Sequence, residues 1–164
     1  MTESAIAARP QWFEDYVPGA VHHLGTIAVD GQEILEFARR FDPQSYHVDP
    51  QGAAQTHFGG LIASGWHTGS MMMRLLALHY LSPESSLGSP GIETLRWPRP
   101  VRPGDTLTVR VTVQQARKSQ SRPDRGIVQS LIEVSNQNGE IVMTANPANL
   151  VRCRPEPAEA PSAG

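Results

Sequence analysis

The sequence predicts an α+β domain in which one long apolar helix precedes an antiparallel meander. Three observations carry this. The segment "WHTGSMMMRLLALHYLS", from Trp66 to Ser82, holds a single formally charged residue, Arg74. The segment "TLTVRVTV" alternates strictly, placing Leu107, Val109, Val111 and Val113 on one face of a strand. Asn138-Gly139, set between two apolar runs, is a strong short-range signal for a hairpin turn.

The first ten or so residues read as loose chain. Asp30 and Glu33 have capping-box spacing, in which each side chain bonds a free backbone N–H at a helix start. Ile34, Ala38 and Phe41 then share one face of a helix of about three turns. Pro43 disfavours helical geometry at Asp42, so this helix ends there. After "HFGGLIASG" comes the apolar helix. Trp66, Met72, Met73, Leu75, Leu76, Leu78 and Tyr80 leave it almost no solvent face, which predicts burial on most sides inside a curved sheet.

"RWPRPVRPGDTL" is a Pro-broken, edge-like approach to the alternating strand. Val128, Ile132 and Val134 lie on one face of the next strand, which turns at Asn138-Gly139 into Ile141 and Met143. Lys118 to Arg125 joins the two long strands; Arg117, Lys118, Arg122 and Arg125 make it a solvated tip or, more sharply, a phosphate site. The Pro-, Ala- and Glu-rich tail, residues 153–164, is expected to be disordered. A single domain over residues 1–152, with an ordered core over about 12–152, is the expected organisation.

At 164 residues and 39% hydrophobic, the chain suits one domain and no membrane span. A lone cysteine, Cys153, excludes an internal disulfide and fits a reducing cytoplasm. The net charge of −2, without a basic stripe, argues against a nucleic-acid partner.

Chemistry concentrates in "FDPQSYHVD", residues 41–49. Asp42 and His47 are five residues apart across a turn, close enough to hold one water. A structural carboxylate is disfavoured at a helix C-terminus, where the dipole is negative. That field, with partial burial behind Phe41, is expected to raise the Asp42 pKa and make it a better proton acceptor. By itself the pair is also compatible with a surface turn. Ser64 and Gly65 mark the start of the apolar helix, where backbone N–H groups lack internal partners. Lacking a side chain, Gly65 lets a substrate carbonyl approach its N–H, which is the recipe for an oxyanion hole; tight packing is the plainer role for such a glycine. His47 and Asp49 form an H-x-D pair that, with His57 or His67, invites an iron-site reading. No histidine follows His79 to complete such a set from a later strand, so no metal is expected. The Met71–Met73 run reads as core packing or as adaptable lining for an acyl chain.

Asp42-Pro43-Gln44-Ser45-Tyr46-His47 followed by "FGGLIASG" resembles the signature of the MaoC-like dehydratases, the (R)-specific enoyl-CoA hydratase group. The likeness covers residues 20 to 152, including "LRWPRPVRPGDTLTVRVTV", "SRPDRGIV" and "NQNGEIV". It implies a hot-dog fold, a long central helix wrapped by a curved antiparallel sheet, assembled as a homodimer or higher homo-oligomer. It further implies that Asp42 and His47 activate water and that the Gly65 N–H polarises the thioester carbonyl of an enoyl-CoA. Gln44, Ser64 and Trp66 are the expected substrate-binding residues, and no metal or redox cofactor is implied. Gln44 and Ser45 stand where the family pattern has Asn and Pro, and Ser64 where a His often precedes the Gly. A thioesterase using the same groups, or a non-catalytic acyl-CoA-binding or partner subunit, are the alternatives. Acyl chain length, and coenzyme A against an acyl carrier protein as the handle, stay open.

Overall fold

The computed structural model describes residues 9–157. A 3-10 turn (Phe13–Asp15) leads into β1 (Val21–Ala28), α1 (Gly31–Phe41), α2 (Ser45–Val48), α3 (Pro50–Ala54) and the long helix α4 (Gly65–His79). Four further strands follow: β2 (Gly91–Arg96), β3 (Thr106–Lys118), β4 (Arg125–Ser135) and β5 (Ile141–Arg152). They form one antiparallel sheet in the order β1-β3-β4-β5-β2.

The alternation in β3 translates directly into burial. Leu107, Val109, Val111 and Val113 all face inward, as do Val128, Ile132 and Val134 of β4. The β4–β5 connection turns through Asn138-Gly139, with the Gly139 N–H donating to the Asn136 carbonyl at 3.0 Å. Against this sheet α4 packs Met71, Met72, Leu75 and Leu76, closing a single core. Tyr80 follows the helix and is buried, its hydroxyl paired with Ser130 on β4 at 3.0 Å.

Two strands are additions to the sequence reading. β1 buries only His22 and Leu24, and a register irregularity between His23 and Thr26 brackets Gly25, whose φ of +91° an L side chain rarely adopts. β2 is an edge strand, paired only with β5 and almost wholly exposed. Burial of α4 is also narrower than expected. Trp66 and Met73 are exposed, because the sheet covers one side of the helix and leaves the opposite stripe open; Leu78 is exposed in the last turn.

On α1, Ile34 and Ala38 are fully buried, but Phe41 is 62% exposed. Phe41 lies in the last turn, beside Phe37 at 5.2 Å between ring centroids and under the Arg40 guanidinium. Of the expected tail, residues 153–157 are described. Arg154 donates to Glu14 through its backbone and pairs with Asp15 at 2.6 Å. The first eight residues, and 158–164 of the tail, lie outside the described residues.

Candidate active site

Asp42 terminates α1. Its N–H still bonds the Ala38 carbonyl at 2.9 Å, but its backbone has left helical geometry, as the following proline requires. The chain then turns tightly. Gln44 N–H donates back to the Asp42 carbonyl at 2.8 Å, and α2 starts at Ser45. This single helical turn carries His47 back beneath Asp42. The His47 ring is fixed by Nδ1, 2.7 Å from the Ile62 carbonyl. A carbonyl only accepts, so Nδ1 holds the proton and Nε2 presents a lone pair. That Nε2 lies 3.4 Å from Asp42 Oδ2, with the two side chains 6% and 17% exposed. Two acceptors at this spacing can each take one proton of a single water molecule.

The surroundings of Asp42 overturn the expectation of a raised pKa. Burial does push the carboxyl up, but hydrogen bonds from Ser64 and Gln44 and the neighbouring His47 more than offset it, holding Asp42 below its ordinary value. Ser64 Oγ donates to Oδ2 at 2.6 Å and Gln44 Nε2 donates to Oδ1 at 2.7 Å. Nor does Phe41 provide shielding, since it points to solvent. Ser64 is 1% exposed and is also the N-cap of α4, accepting from the Trp66 N–H at 3.3 Å. Its hydroxyl is thus engaged by Asp42 and the helix end, whereas the sequence reading gave it to the substrate. Gln44 likewise uses its amide N–H on Asp42.

Asp42, Gln44, His47, Gly65 and Trp66 share the lining of one cavity of about 420 Å³. Among the described residues the Gly65 N–H has no protein acceptor. Glycine at this position also serves tight packing, against a partner the sequence did not name. A Cβ there would lie 2.6 Å from the Trp97 indole, which packs directly on the helix start. Trp97 meets Trp66 edge-to-face at 5.3 Å, forming the aromatic rim of the cavity. Trp97, Arg99, Tyr46 and Phe58 complete the wall. None was a sequence candidate; the Pro-rich run from Pro98 to Pro103 was the only signal that this stretch stays out of the sheet.

The histidines of the metal reading disperse. Asp49 caps α3, accepting the Gln51 N–H at 3.1 Å. His57 lies against Phe58, and His67 stacks on Phe37 at 4.8 Å. Among the described residues no three His, Cys, Asp or Glu side chains are grouped to hold a metal ion.

A family model for the MaoC like domain matches residues 17–135, spanning most of the sheet and the whole cavity wall. The chain belongs to that family. Among solved structures it is similar to a MaoC-like dehydratase from Rhodospirillum rubrum, at 40% identity and a TM-score of 0.83, covering 90% of this chain and 100% of that one. It is also similar to the R-hydratase PhaJ1 from Pseudomonas aeruginosa, at 25% identity and a TM-score of 0.73, covering 96% and 97%. The uncharacterized protein YdeM of Bacillus subtilis (strain 168) is 29% identical over 124 residues, covering 76% of this chain and 86% of that protein. The α+β hot-dog fold expected of a MaoC-like chain is the fold observed. Family and R-hydratase likeness together support a hydro-lyase activity in general terms.

Proposed function

We propose that this MaoC-like protein is an acyl-CoA hydratase/dehydratase, adding water reversibly and syn to a trans-2-enoyl-CoA to give an (R)-3-hydroxyacyl-CoA. The observation that supports it most is the single cavity lined by the Asp42–His47 pair and by Gly65, whose N–H is free. Water held between Oδ2 and Nε2 keeps an oxygen lone pair for the β-carbon. A thioester carbonyl at Gly65 gains enolate character as that bond forms, and an N–H at the positive end of α4 stabilises the growing charge.

The electrostatics divide the labour within the pair. Asp42, held low by three neighbours, is a weak base that orients water and balances positive charge. His47, its Nδ1–H fixed on the Ile62 carbonyl, aims its Nε2 lone pair at the same water and takes the proton. In hydration, the water oxygen bonds Cβ, Nε2 takes one water proton, and the imidazolium delivers a proton to Cα on the same face. OH and H are added, and the pair returns to its starting state; dehydration runs the steps backwards. The chemistry closes without a metal or redox cofactor.

A second copy of the chain is the partner we propose. Trp66 and Met73 on the outward stripe of α4, Leu78 in its last turn, and Ile92 on the open edge strand β2 are all exposed. These are large apolar side chains of the kind that obligate homodimers cover. Among the described residues no helix is long and apolar enough to cross a membrane. With its lone cysteine, the protein is assigned by this reading to the cytoplasm.

The experiment is loss of the conjugated-thioester absorbance when purified protein meets crotonyl-CoA and longer or branched enoyl-CoA thioesters. Turnover is expected on at least one. Release of free CoA without hydration, or silence across the whole panel, overturns the assignment.

A further inference from the structure

Gln44 and Tyr46 form a chain of contacts beside the catalytic pair. The Tyr46 hydroxyl donates to Gln44 Oε1, and Gln44 Nε2 donates to Asp42 Oδ1 at 2.7 Å. The carboxylate only accepts, so the Gln44 amide must present its NH2 to Asp42 and its oxygen elsewhere. Tyr46 supplies the donor that oxygen needs. A flipped amide would set two acceptors against each other at Asp42 and leave the phenol without its acceptor. The ring is held as firmly as the hydroxyl. It meets His47 edge-on, with centroids 4.5 Å apart and planes at 74°, and packs against Phe58 at 5.1 Å on another side.

We infer that Tyr46 is a positioning residue for both members of the pair, acting on Asp42 through the Gln44 amide and on His47 through its ring. This rests on the hydratase reading for its kinetic consequence, although its structural content does not. Gln44 alone, on a short exposed turn, has several rotamers open to it; a second bond from Tyr46 selects the one that serves Asp42. Other groups facing Asp42 are His47 from α2 and Ser64 from the start of α4. Arg99 also lines the cavity, with its guanidinium 3.7 Å from Glu140. The Gln44 bond is among the influences that hold the Asp42 carboxyl low, so loosening it lets that carboxyl rise.

Tyr46→Phe tests this, because it keeps the ring and removes only the hydroxyl. The variant is expected to lose about fivefold to tenfold in kcat, the worth of one hydrogen bond, with KM changed by less than about twofold. In a Gln44→Ala background, Tyr46→Phe is expected to add nothing to kcat, since the contact it works through is gone. Asp42 ionisation, followed by carboxyl carbon-13 NMR, is expected to move up in Tyr46→Phe and in Gln44→Ala alike. That titration needs no substrate, so it stands or falls apart from the enoyl-CoA assay. An unchanged Asp42 titration overturns the relay, as does a full additional kcat loss in the double variant or an effect confined to KM.

Discussion

Two helix ends meet at Asp42, and they act on it in opposite directions. The C-terminus of α1 carries the residue and turns its negative end toward it. The N-terminus of α4 reaches it through Ser64, which caps that helix while donating to the carboxylate. From the sequence only the first end is visible beside Asp42, because Ser64 lies 22 residues further on. The stabilising side prevails: burial pushes the carboxyl up, but hydrogen bonds from Ser64 at the α4 end and from Gln44, with the neighbouring His47, hold Asp42 below its ordinary value. What α1 contributes is placement, and what α4 contributes, through Ser64, is part of the charge stabilisation.

Removing the anion breaks this arrangement most severely. Asp42→Asn retains shape but presents a neutral group to the water and to an imidazolium on His47. A kcat loss of about 10²–10⁴-fold is expected, in the range of a positioned acid or base, measured on whichever enoyl-CoA the wild type hydrates. Full activity in Asp42→Asn would remove the pair from the mechanism.

The α4 end can be disturbed without touching Asp42. In Gly65→Ala the N–H remains, but the new methyl collides with the Trp97 indole. Trp97 is half-exposed and can swing outward, so the expected result is a reshaped cavity rather than an unfolded protein. A fall of about tenfold or more in kcat/KM is expected, an energy of about 1.4 kcal/mol, together with a change in tryptophan fluorescence. Trp97→Ala in that background relieves the collision and is expected to recover part of the loss. Failure to recover any would mean that the methyl obstructs the substrate itself.

Ser64→Ala separates the two ends most directly, for it removes both the N-cap and the donor to Oδ2. A stability loss of about 0.5–2 kcal/mol is expected by chemical denaturation at neutral pH. Its pH dependence follows from the low Asp42 pKa. The carboxylate's contribution is fully present above the ordinary value of 3.8, and is lost as pH falls from there through the folded value. The gap between wild type and Ser64→Ala is therefore expected to narrow across that acid window. In the same variant the Asp42 carboxyl titration, followed by carbon-13 NMR, is expected to move up. A gap that stays constant with pH would assign Ser64 to capping alone.

What the sequence makes legible here is local. The valine alternation of β3, the Asn138-Gly139 turn and the Ser64-Gly65 helix start each depend on neighbours within a few residues, and each appears where expected. β1 is hidden because two histidines, a glycine and a bulge interrupt its alternation. β2 is hidden because an exposed edge strand needs no apolar face. The outward stripe of α4 escapes periodicity because Trp66 and Met73 are as apolar as the buried side. At the site, the residue types were legible, but their wiring was not. Ser64 on Asp42, Trp97 on Gly65 and Tyr46 behind Gln44 are tertiary or turn contacts with no periodic signal.

The smallest expected effect supplies the contrast for all of these. Asp30 caps the far end of α1, accepting the Glu33 N–H at 2.9 Å, and touches neither the cavity nor α4. Asp30→Ala removes a cap of the same kind as Ser64→Ala, so a stability cost of about 1 kcal/mol is expected. If α1 contributes only placement, that loss leaves kcat and the Asp42 carboxyl titration where they are, because the last turn of the helix stays anchored by buried Ala38. A shift of the Asp42 titration in Asp30→Ala would show that the α1 end also sets the charge state of Asp42, and the division between the two helix ends would fail.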